Sequence, residues 1–123
     1  MQLDLDLVRK ILLTFEADDR LDMTQWYQYT PQNFGLDDSQ KNKVIYHVIM
    51  LVQGGFVDGN AFGGAIMPAV RGVTLAGHGL LSSMHNDTVW RQVKRRVKPL
   101  GHVTLQMVAD IATAVVRKRL GLP

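Results

Sequence analysis

Histidines are the first side chains in this sequence that could carry chemistry, because histidine binds metals and transfers protons near neutral pH. The four histidines are His47, His78, His85 and His102. No two of them have the spacing of a metal site on a helix. No Gly-x-Ser-x-Gly turn and no phosphate-binding glycine loop is present, and the absence of cysteine excludes thiol catalysis. We therefore expect a protein that is not an enzyme and that uses no metal and no cofactor.

Acidic side chains could form a carboxylate pair for acid–base catalysis. The four candidates are Asp18, Asp19, Asp37 and Asp38. All of them fall in predicted loops or at the starts of helices, where acids cap backbone N–H groups. Helix capping explains these positions better than a catalytic pair of carboxylates does.

Positive charge is concentrated towards the carboxyl end of the chain. The formal net charge is +3, and eight of the 14 basic residues follow position 90, where Asp110 is the single acid. The basic run from Arg91 to Lys98 could hold phosphates, and a solvated helix face explains it equally well. The candidate nucleic-acid contacts in this run are Arg91, Lys94, Arg95 and Lys98. The cations at 117–119 are typical of the last turn of a helix.

A second candidate interface lies at the start of a helix predicted over residues 39–53. Its first polar side chains are of the types that contact base edges and phosphates. One further basic residue would flank a hairpin that follows the helix. The candidates on this side are Gln40, Lys41, Asn42, Lys43, His47 and Arg71.

The predicted hairpin carries an apolar tip. Phe62, Ile66 and Met67 lie in this connection, where DNA-binding hairpins usually carry arginine or lysine. Exposed apolar clusters mark partner surfaces, so these three residues are a candidate protein-binding site. A tip that folds back onto the domain is an equally good interpretation.

These residues must be positioned by helices and one hairpin. Apolar residues recur at three- and four-residue steps in four segments, and short β-prone runs flank a glycine-rich turn. The predicted order is helix 6–17, extended segment 24–30, helix 39–53, hairpin 56–58 with 70–75, short helix 74–81, helix 87–98 and helix 104–120. Trp90 should be buried against the first or last helix. The apolar face of the last helix could serve as core or as a dimer seam.

Length and composition bound the class of protein. The chain has 123 residues, 46% of them hydrophobic, which fits a single domain over residues 1–123. No apolar run is long enough to cross a bilayer, and the start of the chain is acidic where a secretion signal would be basic. We therefore expect a cytoplasmic protein of mainly α structure with a small β-hairpin (α+β).

Several short motifs occur in a recognisable order along the chain. They are Asp4-x-Asp6-Leu7-Val8, Tyr46-His47-Val48, Gly55-Phe56-Val57, Leu75-x-Gly77-His78 and Asn86-Asp87-x-x-Trp90. In this order they resemble an uncharacterised family that is common in phages and prophages. The resemblance implies a winged-helix-like domain, here with extra C-terminal helices, and a phage context. In winged-helix domains a helix lies in the major groove and the hairpin lies alongside it.

Two hypotheses for function follow from these features. In the first, the chain is a phage- or prophage-type accessory protein that binds double-stranded DNA in a regulatory role, as a homodimer through the C-terminal helix. The alternative is a protein–protein interaction module of the same fold that acts on a host or defence protein. The basic regions favour the first hypothesis, and the apolar hairpin tip favours the second.

Overall fold

Five α-helices and one antiparallel hairpin are found in the computed structural model, which describes residues 1–61 and 66–123. The helices are α1 (Leu5–Ala17), α2 (Lys41–Gln53), α3 (Leu75–Leu81), α4 (Asp87–Val97) and α5 (Leu105–Arg119). The strands are β1 (Val57–Asn60) and β2 (Ala69–Val73). The predicted fold class, mainly α with a small β-hairpin, is confirmed.

Helix α1 follows its apolar stripe closely. The Asp4 side chain accepts a hydrogen bond from the Leu7 N–H at 3.1 Å, which caps the first turn and places a negative charge at the positive end of the helix. The residues of the stripe are all buried, as their spacing predicted: Leu7, Val8, Ile11, Leu12 and Phe15.

The connection from α1 to α2 contains very little β structure. The predicted strand over 24–30 is reduced to one bridge, in which Tyr27 pairs with Val70 on the outer edge of β2. Met23 has a φ of +72°, a left-handed conformation that ordinary strands do not contain. A 3-10 turn over Pro31–Phe34 ends the extended segment, because Pro31 fixes a helical φ at the first position of the turn. Within the predicted strand 24–30, β pairing is therefore limited to the bridge between Tyr27 and Val70.

The hairpin begins one residue later and ends two residues earlier than predicted. Strand β2 stops at Val73 because the Thr74 side chain caps α3, accepting a hydrogen bond from the Gly77 N–H at 3.1 Å. Helix α3 packs tightly on the hairpin at this point. A Cβ added at Gly77 would lie 2.1 Å from the carbonyl oxygen of Phe56, so only glycine fits there.

Helices α4 and α5 complete the core. Asn86 caps α4, and the buried side of this helix is the predicted one, with Trp90 only 1% exposed. Helix α4 ends at Val97, one residue before its predicted end, and a 3-10 turn over Lys98–Leu100 carries the chain past Pro99. The Thr104 side chain caps α5 by accepting a hydrogen bond from the Met107 N–H at 3.1 Å. Within the described ranges, no helix has both the length and the apolar character to span a membrane.

Candidate nucleic-acid interface

Helix α2 exposes little besides its amino end. Lys41 and Asn42 are exposed, but every residue from Val44 to Val52 is buried or half-buried. A helix that lies in a major groove presents a polar face to the bases over several turns. Of the predicted contacts on α2, only those in its first turn reach solvent, so this helix can meet DNA at its tip and not along its length.

His47 is not part of this surface, which corrects its prediction as a nucleic-acid contact. Its side chain is fully buried. The Nε2 atom accepts a hydrogen bond from the Asp4 N–H at 2.8 Å, and Nδ1 lies 2.7 Å from the Lys43 carbonyl oxygen, to which it donates. Burial lowers the pKa of His47, in keeping with a neutral ring that joins α1 to α2. The polar neighbours in sequence gave no sign of this role.

Acids neutralise three of the predicted cations. The Lys43 ammonium lies 2.7 Å from an Asp4 oxygen. The Lys94 ammonium lies 2.8 Å from an Asp6 oxygen. Both acids stand at the start of α1, so the region between the two predicted interfaces carries little net charge.

Arg71 is the third neutralised cation. It donates from Nε and Nη2 to the same Asp58 oxygen at 3.0 and 2.7 Å, and its guanidinium lies 4.4 Å from the centre of the Trp26 ring. This arginine ties the hairpin to the segment beside it. A phosphate could recruit Arg71 only by competing with both contacts.

Two of the remaining cations of α4, Arg95 and Arg96, face a groove that the sequence did not predict. Its volume is about 450 Å³, and cations from α4 and from the end of α5 surround it. The lining residues are Gln92, Arg95, Arg96, Val115, Lys118 and Arg119. None of these lining residues is acidic. In the described part of the chain, none of the four cations has a carboxylate within 4 Å.

Of the predicted contacts, only Arg95 lines this groove, whereas Arg91 and Lys98 are exposed elsewhere on the same stretch of chain. Arg96, Lys118 and Arg119 were not among the contacts predicted from the sequence. The excess of cations after position 90 was the available signal. It did not show that the second half of α4 meets the last turns of α5, because that depends on how the two helices pack.

Ile66 and Met67, the described residues of the hairpin tip, line a cleft beside the amino end of α2. Ile66 is 64% exposed and Met67 is half-buried against the core, while Phe62 lies outside the described residues. Ile66 and Met67 share a cleft of about 510 Å³ with Lys41 and Gln28. The Gln28 amide donates a hydrogen bond to the Met67 carbonyl oxygen at 2.9 Å. One residue predicted to contact DNA and two predicted to bind a partner are therefore neighbours.

Two of the four candidate catalytic acids, Asp18 and Asp37, have structural partners. The Arg20 guanidinium and then the Tyr29 hydroxyl hold the pKa of Asp18 well below its usual range. Hydrogen bonds from the Ser39 hydroxyl and backbone N–H lower the pKa of Asp37. Both acids stay ionised at neutral pH, which is unlike a general acid with a raised pKa.

Two of the histidines approach a single carboxylate. The Glu16 side chain lies 2.7 Å from His85 Nε2 and 3.9 Å from His78 Nδ1. Across residues 1–61 and 66–123, no group of three or more histidine or acidic side chains is arranged to hold a metal ion. The contacts of Glu16 with His78 and His85 instead link the end of α1 to α3 and to the turn that follows α3.

Comparison with known proteins places the chain in a family. The model of the family described as "Hypothetical protein (DUF2513)" matches residues 2–103, and the chain belongs to this family. An "Uncharacterized protein" of Haemophilus influenzae strain Rd is similar to it, at 27% identity over 123 residues, which is 98% of this chain and 99% of the relative. The family match ends just before α5, whereas the similarity to the relative includes that helix. No solved structure matches the chain.

Proposed function

We propose that the protein binds nucleic acid through the groove between α4 and α5. The observation that carries this proposal is the convergence of Arg95, Arg96, Lys118 and Arg119 on one concave surface without an acid among its lining residues. Four like charges held close together repel one another, and an anion relieves that repulsion. Lysine and arginine clusters of this kind supply the sequence-independent part of nucleic-acid affinity.

The biological role in this proposal is that of a small accessory or regulatory protein of phage or prophage type. The resemblance of the motif order supports the phage context. The hairpin that follows α2 directly supports the winged-helix-like interpretation of the fold. Because α2 is buried beyond its first turn, the proposed contact differs from the usual one, in which that helix enters the major groove.

The proposal is tested by titrating the protein with a labelled DNA duplex of random sequence at low and moderate salt. Each neutralised phosphate contributes about −0.9 to the slope of log affinity against log salt. Four groove contacts therefore predict a slope of about −3.6, which weakens binding roughly 10²-fold between about 50 and 200 mM salt. A protein that binds no duplex even at the lower salt would contradict the proposal.

A second candidate function is binding of a protein partner through the hairpin tip. The 64% exposure of Ile66, beside Met67 and the cleft at Lys41, favours it. Capture of a host protein from a nuclease-treated lysate by the wild type, and its loss with Ile66→Lys, would support this function. Retention of the same protein by the variant would place its contact elsewhere.

A homodimer through α5 completes the proposal. The inward face of α5 is occupied by the core, because Leu105, Val108 and Val115 are buried. An outer face remains with Met107 40% exposed and Ile111 one turn further on. Sedimentation should then show a dimer for the wild type and a monomer for Met107→Asp. A monomeric wild type at concentrations well above those used for DNA binding would rule out this dimer.

A further inference from the structure

From the shape and lining of the groove we infer that its ligand is the phosphate backbone of a double helix, bound without contacts to base edges. This inference rests on the proposed function and specifies the class of nucleic acid. It depends on three features of the groove: which helices its cations come from, which side chains its lining lacks, and its position in a recess between α4 and α5.

The cations stand on both sides of the groove. Arg95 and Arg96 come from α4, and Lys118 and Arg119 come from the last turns of α5. All four are exposed, so their charged ends are available to a ligand without breaking an ion pair in the described part of the chain. Two opposed sets of cations can enclose one phosphodiester backbone and neutralise several phosphates at once.

The groove lacks the side chains that single strands need. Proteins that bind single strands combine a basic channel with aromatic rings on which the bases stack. The uncharged lining residues are Gln92 and Val115, and no aromatic ring is present among them. The exposed ring of Trp26 lies beside β2 and does not line the groove, and Arg71 already covers one of its faces. Unstacked bases would therefore gain little at this site.

The position of the four cations in a recess between two helices opposes contact with base edges. In a duplex the base edges lie at the bottom of the DNA grooves, and proteins reach them with a protruding helix or hairpin. The phosphate backbone is the convex ridge of the same molecule. A concave protein surface between two helices complements that ridge, and arginine and lysine bind its phosphates irrespective of sequence.

The experiment compares three probes of equal length by fluorescence anisotropy: a mixed-sequence duplex, each of its separate strands, and a second duplex of unrelated sequence. The duplexes should bind equally, with a salt slope of about −3.6, and more tightly than either strand. If the same four cations held a single strand, its slope would be about −2.8. The Arg96→Ala/Lys118→Ala variant should lose most of its affinity for both duplexes.

The outcomes separate this inference from the proposed function. Single strands that bind as tightly as the duplex, and that depend on Arg96 and Lys118, would overturn the inference and leave nucleic-acid binding intact. A preference of about tenfold or more for one duplex would also overturn it, because contacts to phosphates carry no sequence information. Failure of every probe to bind would overturn both. Unchanged duplex binding by the variant would place the site outside the groove.

Discussion

His47 joins the start of α1 to α2 through both of its ring nitrogens. The ring must be neutral, because a protonated Nε2 cannot accept the Asp4 N–H. The pKa of His47 is below its ordinary value of 6.5, so the unfolded chain takes up a proton at a higher pH than the folded one. The contribution of His47 to stability is therefore complete above about pH 6.5 and is lost as the pH falls below that value.

The corresponding prediction concerns His47→Ala. The substitution leaves the Asp4 N–H without its partner and removes the side-chain bond to the Lys43 carbonyl, so we expect a loss of about 1–3 kcal/mol in the free energy of unfolding at pH 7.5. The loss should be smaller at pH 5.5, where the wild type has itself been weakened. Urea unfolding of both proteins at the two pH values measures this difference. A cost of equal size at both pH values would show that protonation of His47 does not matter.

At the scale of elements, α3 offers a matched pair of glycines. A methyl group at Gly77 would collide with the backbone of Phe56, whereas a Cβ at Gly79 meets nothing within 4 Å. We expect Gly77→Ala to destabilise the protein by roughly 1–3 kcal/mol, as overpacking does. Gly79→Ala should stabilise it by up to about 1 kcal/mol, because alanine favours a helix. Thermal melts of the two variants check this, and a stabilising Gly77→Ala would contradict the packing of α3 on the hairpin.

Trp90 tests the packing of α4 in the same way. Its ring is buried, and its Nε1 lies 3.4 Å from an Asp6 oxygen on α1. Trp90→Ala should lower the free energy of unfolding by roughly 3–5 kcal/mol. The neighbouring Arg91→Ala is the control, since an exposed substitution usually changes stability by less than about 0.5 kcal/mol. An unchanged melting temperature for Trp90→Ala would mean that this ring is not part of the core.

What the sequence predicted correctly was local. The spacing of Val89, Trp90 and Val93 predicted the buried side of α4, because such a pattern depends on neighbours within one or two turns. The burial of His47 and the position of Arg96 and Lys118 in one groove depend on packing between distant elements. Periodicity carries no information about such packing. The structure therefore favours the α4–α5 groove as the candidate site, where the sequence had also indicated the start of α2.

At the scale of the whole molecule, charge is segregated by the way the acids are placed. Asp4, Asp6 and Asp58 neutralise Lys43, Lys94 and Arg71, and this leaves the α4–α5 groove as the concentrated positive surface in the described ranges. A modest net charge of +3 is therefore compatible with a strong local attraction for phosphate. The central claim is that this groove, and not the total charge, binds nucleic acid.

The most direct test compares two double variants that each remove two positive charges. Arg96→Ala/Lys118→Ala alters the groove, and Lys10→Ala/Lys41→Ala removes exposed lysines that lie elsewhere. Affinity for a random-sequence duplex is measured over a range of salt concentrations. We predict that the groove variant binds more weakly and that the steepness of its salt slope falls by about 1.8, while the control retains nearly the wild-type slope. Equal losses in the two variants, or a loss confined to the control, would contradict the account.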